Sequence, residues 1–169
     1  MAQHIVLMNV LAPFLALAIH RLMPAWSARL LMAATGVQLG LLWFWHAPFL
    51  LPQAMHSPLL QAAMQATLFA GAVWFWGAVI NAAGAGAWRA IVALLVTSKL
   101  FCLLGVLLTF APRALYSSHS HAASLGDQQL AGLLMLIACP ATYLLAAVIL
   151  AGRWLYSLDA KPAPYDARA

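Results

Sequence analysis

A chain of 169 residues that is 66% hydrophobic and 7% charged, with a mean hydropathy of +0.93, is too apolar for a water-soluble domain of this size. Its net charge of +5 comes from single basic residues near segment ends, which argues against nucleic-acid binding. Glutamate is absent and only three acidic residues occur, so enzymes built on paired carboxylates and carboxylate-bridged metal centres are excluded. We therefore expect an integral membrane protein that is not an enzyme.

Five apolar stretches are long enough, or nearly so, for a helix to cross a bilayer core, which takes about 20 residues. They lie at 4–23, 29–50, 58–80, 88–111 and 128–154. They predict an all-α fold: a polytopic membrane helix bundle of about five transmembrane helices, forming one domain over 1–156. Residues 157–169 contain prolines and several charges, which predict a disordered cytoplasmic tail.

The positions of the basic residues predict the orientation of the chain. Arg21 and Arg29 lie in the first connection, Arg89 lies at the end of the third, and the C-terminal part of the chain carries Arg153, Lys161 and Arg168. The second connection has none, and the fourth has only Arg113. Because basic residues collect on the cytoplasmic side, we expect the N-terminus outside and the C-terminus inside.

This orientation places five of the six histidines on the outer side of the membrane. They are His4, His46, His56, His119 and His121. Histidines collect at any membrane interface, but that alternative does not explain why only His20 lies on the other side. Met8 adds a thioether about 10 Å below the outer surface, although methionine is also common helix filler. Imidazole and soft sulfur together suit Cu(I), and the imidazoles alone also suit Cu(II).

Two ionisable residues and a glutamine complete the candidate site. Lys99 lies near the middle of the fourth stretch, where a charge is costly, so we expect it to face the bundle interior or a polar lumen. Its alternative role is structural, bonded to neighbouring hydroxyls and to an adjacent helix. Asp127 lies where the N-cap of the fifth helix is expected, followed by Gln128, and either caps that helix or orients a ligating histidine.

Four segments of the chain resemble one known family. MAQHIVLMNVLAPFLAL, WFWHAPFL, LLGVLLTFAPRALY and above all DQQLAGLLM are similar to the CtaG family of caa3-type cytochrome c oxidase assembly factors. The similarity covers residues 1 to about 154. It implies a multi-pass protein of the bacterial inner (plasma) membrane that serves the maturation of haem–copper oxidase. On matching positions it points to His4, His46, Asp127 and Gln128.

The leading prediction is a copper-handling assembly factor. It would hold copper, Cu(I) rather than Cu(II), at the outer membrane face and pass it to an oxidase subunit or another copper chaperone. The alternatives are a metal-free scaffold for an oxidase subunit, a haem-binding protein with two histidine ligands, and a copper transporter in which Lys99 lines the path. The sequence leaves open whether the protein forms a homo-oligomer.

Overall fold

The computed structural model describes residues 2–22, 25–82, 86–116 and 125–159, and every regular element in these ranges is a helix. In chain order these helices are α1 (Ala2–Val6), a π-helical segment (Leu7–Leu11), α2 (Ala12–Ile19), a 3₁₀ helix (Ala25–Leu30), α3 (Leu31–Trp45), α4 (Leu50–His56), α5 (Pro58–Asn81), α6 (Ala87–Phe110) and α7 (Leu125–Asp159). Within these ranges, four helices are long and apolar enough to cross a membrane, and a shorter apolar helix spans Gln3–Ile19. The polytopic helical bundle is therefore confirmed.

Two predicted boundaries are wrong. The second stretch was expected to run to residue 50, but α3 ends at Trp45 and a separate short helix, α4, follows a four-residue break. Pro48 disfavours helical backbone at the residue before it, which ends α3 early. At the other end of the chain, α7 continues through Asp159, so the tail does not begin at residue 157. Residues 160–169 of the predicted tail lie outside the described residues.

The bundle is largely apolar outside and holds many of its polar side chains inside. Buried polar residues include Asn9, Thr35, Gln38, Thr97 and Ser98, whereas many leucines, valines and phenylalanines are exposed on the helix surfaces. This distribution suits a lipid environment, where apolar surface is not penalised and polar side chains hydrogen-bond between helices. In the centre of the core, the Gln38 amide donates a hydrogen bond to the Tyr143 hydroxyl.

A π-helical segment near the N-terminus shapes the part of the chain that carries His4. The Ala12 amide bonds to the Leu7 carbonyl, five residues back, instead of to Met8. The next amide position is Pro13, which has no N–H, so the Met8 carbonyl lacks a partner in its own helix. The indole of Trp76 in α5 donates to this carbonyl at 3.1 Å. The distortion is therefore stabilised by a neighbouring helix.

The helices α6 and α7 form a closely packed hairpin. A Cβ added at Gly132 of α7 would lie 2.8 Å from the Gly105 carbonyl oxygen and 2.8 Å from the Thr109 amide nitrogen of α6. Such close backbone contact needs small residues at the crossing, as is common between transmembrane helices. The crossing brings the start of α7 beside the end of α6, which positions Gln128 for the contacts described below.

Candidate metal site

Two histidines from separate helices meet at the end of the bundle where α1 begins and α3 ends. The His4 and His46 rings are 5.3 Å apart between centroids, with an interplanar angle of 81°. Their exposed fractions are only 2% and 3%. His4 lies in α1, and His46 is the C-cap residue of α3. Of the histidines predicted as metal ligands, the structure brings these two into direct contact.

The His46 ring is held with one nitrogen available. Its Nδ1 lies 2.8 Å from the Leu42 carbonyl oxygen. Because a carbonyl only accepts, the neutral ring carries its proton on Nδ1 and has its lone pair on Nε2. Nε2 is buried and has no hydrogen-bond partner among the described residues. A backbone carbonyl on the second nitrogen is the usual way in which a metal-binding histidine is oriented.

Both ring nitrogens of His4 are also buried without a hydrogen-bond partner in the described residues. Leaving a buried polar atom unpaired costs about 1–3 kcal/mol, so three such atoms at one ring contact need an explanation. Burial also lowers the pKa of His46 below the ordinary histidine value, because imidazolium would lose its hydration there. The hydrogen bond to Leu42 opposes this shift but has the smaller effect. Neutral imidazoles with free lone pairs are the form that binds a metal ion.

Neighbouring residues fix the backbone that carries His46. The indole of Trp45 is buried and donates to the Thr67 hydroxyl of α5 at 3.0 Å. The hydroxyl of Tyr116, in the segment after α6, donates to the His46 carbonyl at 2.9 Å. Sequence reasoning did not assign Tyr116 a role, although it ends the LLGVLLTFAPRALY segment that carried the resemblance.

Gln128 joins the segment before Tyr116 to the end of α6. Its Nε2 donates to the Leu108 carbonyl at 3.1 Å, and its Oε1 accepts from the Leu115 amide at 2.7 Å. Both ends of a buried amide are therefore used. Because Leu115 precedes Tyr116, Gln128 supports the residue that contacts His46.

The remaining predicted ligands are more dispersed. Met8 is buried one helical turn after His4. His56 is exposed at the last residue of α4. His119 and His121 lie outside the described residues. In the described part of the chain, no group of three or more His, Cys, Asp or Glu side chains is arranged to hold a metal ion.

The expected inward orientation of Lys99 is wrong. Lys99 is exposed on α6, while its neighbours Thr97 and Ser98 are buried. Asp127 is also exposed, and it lies in the first turn of α7, two residues inside the helix instead of at its N-cap. Its carboxylate still lies near the positive end of the helix dipole.

Comparison with known proteins finds one family whose model matches most of this chain. The family model for cytochrome c oxidase caa3 assembly factors, Caa3_CtaG, matches residues 1–157. Searches of curated proteins and of solved structures found no match. The family match includes α1, α3 and the segment around Gln128, and therefore all of the residues that form or support the histidine pair.

Proposed function

Because this chain belongs to the family of cytochrome c oxidase caa3 assembly factors, we propose that it holds copper between His4 and His46 and delivers it during oxidase maturation. The observation that carries the proposal is the pair of facing, buried imidazoles, in which three ring nitrogens lack hydrogen-bond partners among the described residues. An assembly role also suggests a non-catalytic protein. The donors fit copper as a cargo that is held and released.

The small number of donors in the described part of the chain favours Cu(I) over other metals. Structural zinc takes four tetrahedral ligands, and the described residues offer no group of three His, Cys, Asp or Glu side chains. Cu(I) prefers soft and imidazole donors, and we assign the third donor to the thioether of Met8, which is buried and follows His4 by four residues in the chain. A low-coordinate ion leaves a position for a donor from the receiving protein, which is what transfer requires.

A haem site fits the pair less well. In a bis-histidine haem, the two rings bind iron from opposite faces of a flat macrocycle. His4 and His46 are already in edge-to-face contact at 5.3 Å between centroids, which leaves no space for a macrocycle between them. Copper holding is therefore preferred to haem binding.

Membership of this family also supports a membrane location and an oxidase partner for the protein. A multi-pass membrane protein that assembles cytochrome c oxidase works beside its oxidase partner in the membrane. We place it in the bacterial inner (plasma) membrane, with the histidine pair on the outer side as the basic residues predict. The receiver would be a haem–copper oxidase subunit or a second copper chaperone.

The test is an anaerobic Cu(I) titration of the detergent-purified protein against a competing chelator. We expect one tightly bound Cu(I) per chain, lost when His4→Ala and His46→Ala are combined. His20→Ala is the matched control, because His20 lies at the other end of the first helix and bonds to the Leu17 carbonyl. Tight binding that survives the double substitution would refute the site. No binding by the unmodified protein would favour a metal-free scaffold.

A further inference from the structure

Lys99 lies at the centre of a membrane-spanning helix and on its outer surface. It is exposed in α6, about 18 Å along the axis from Ala87 and about 16 Å from Phe110. The four-carbon side chain is much shorter than either distance, so the ammonium group does not reach a membrane surface along α6 without deforming the bilayer. A charged side chain at the centre of a bilayer costs free energy, and such side chains usually pair with another polar or charged group.

The described part of this chain does not supply that partner. No hydrogen bond or ion pair joins the Lys99 ammonium to another described residue, and the nearby hydroxyls of Thr97 and Ser98 are buried on another face of α6. The chain has no glutamate, and its aspartates are Asp127, Asp159 and Asp166. Asp127 and Asp159 lie at the two ends of α7, and Asp166 lies beyond it. A second copy of the chain therefore brings no acidic residue to the depth of Lys99.

The surface around Lys99 has the form of a helix-docking face. The exposed apolar residues Leu95, Val96, Leu103 and Val106 lie one or two turns from Lys99 on the same side of α6. They offer an apolar strip with a single positive charge at its middle. Charge complementarity selects a partner helix that is apolar except for one acidic residue at the same depth.

We infer that this face of α6 binds a transmembrane helix of another protein, which places an Asp or Glu carboxylate against Lys99 near the middle of the bilayer. The pairing does not depend on copper. Only the choice of a haem–copper oxidase subunit as the natural partner rests on the proposed function. Pairing the two charges lowers the desolvation cost that each helix bears alone.

The test uses a defined probe, a single-span leucine-rich peptide with one central Asp, and a control peptide with Leu at that position. The full-length protein, fused at its C-terminus to a fluorescent donor, is reconstituted in phosphatidylcholine vesicles with acceptor-labelled peptide. We expect energy transfer to the Asp peptide at a concentration about tenfold lower than to the Leu peptide. Lys99→Met should abolish this difference, and Lys99→Arg should retain it. Arg113→Met, which removes an exposed cation beyond the end of α6, should leave it unchanged.

Equal transfer to both peptides, or a preference for Asp that survives Lys99→Met, would overturn the inference. The Cu(I) titration of Lys99→Met separates the two proposals. Normal copper binding by a variant that has lost the Asp preference supports docking as a separate property. If the peptide test fails while copper binding is intact, the docking inference is rejected and the copper proposal is unaffected.

Discussion

The Tyr116 hydroxyl donates a hydrogen bond of 2.9 Å to the backbone carbonyl of His46. The two residues are 70 positions apart in the sequence, and both are buried. This bond ties the segment after α6 to the end of α3. It therefore links one of the segments that carry the family resemblance to one of the two proposed copper ligands.

Replacing Tyr116 with Phe should weaken copper binding without removing it. The substitution keeps the aromatic ring and deletes the hydroxyl, leaving the His46 carbonyl without this donor. A net hydrogen bond contributes about 1 kcal/mol, which corresponds to a roughly fivefold loss of Cu(I) affinity if all of it is expressed at the site. Chelator competition measures the change. Tyr156→Phe, at an exposed position on α7, is the matched control, and an equal effect there would contradict the role of Tyr116.

Replacing Gln128 with Glu should destabilise the protein more than it changes the shape of the site. The carboxylate still accepts from the Leu115 amide, but it no longer donates to the Leu108 carbonyl and it buries a charge. We expect a loss of about 1–3 kcal/mol in unfolding free energy. Thermal unfolding in detergent measures it, with Gln129→Glu as the neighbouring control because that side chain is only partly buried. Unchanged unfolding of the Gln128 variant would show that these two bonds do not hold the segment.

Replacing Gly132 with Ala should separate α6 from α7. The added methyl group would meet backbone atoms of Gly105 and Thr109, which move only if the helices do. Overpacking of this kind typically costs about 1–3 kcal/mol. Gly152→Ala is the same change in the same helix, with nothing within 4 Å of the new Cβ, and should not destabilise. Comparable unfolding of the two variants would rule out a tight crossing at Gly132.

Replacing Trp76 with Phe should loosen the π-helical segment that follows His4. The Met8 carbonyl would lose its donor, since neither Ala12 nor Pro13 supplies one within the helix. We expect a loss of about 1–2 kcal/mol of stability from the unpaired carbonyl and the smaller ring. The control is Trp74→Phe, which changes a less buried indole two residues away. Unfolding and Cu(I) affinity are both measured, and a drop confined to Trp74→Phe would refute this prediction.

The helices and the site were predictable from the sequence to different degrees. The apolar runs locate the long helices because a bilayer sets their length, and Pro58 marks the start of α5 correctly. The side of α6 that Lys99 occupies could not be read, because it depends on which helices pack beside α6. The contact between Tyr116 and His46 could not be read either, since only tertiary packing brings residues so far apart together.

The histidine pair was predictable from the sequence only in part. Charge distribution and family resemblance both selected His4 and His46, and the structure places their rings in contact. His56, selected by the same orientation argument, is exposed at the end of α4, a short helix in the segment that the apolar pattern predicted to be a connection. The side of the membrane on which a histidine lies therefore predicts less well than its burial whether it meets another histidine.

Replacing Met8 with Leu tests whether sulfur completes the proposed copper site. Leucine keeps a similar volume in a buried position but has no donor atom, so packing changes little while a soft ligand is removed. We expect about a tenfold weaker Cu(I) affinity, which corresponds to about 1.4 kcal/mol. X-ray absorption of the Cu(I)-loaded protein should also lose its sulfur scattering and retain nitrogen. Met64→Leu, at another buried methionine on α5, should change neither measurement. Sulfur scattering that persists in the Met8 variant would assign the third donor to a different residue, because no other sulfur would have been altered.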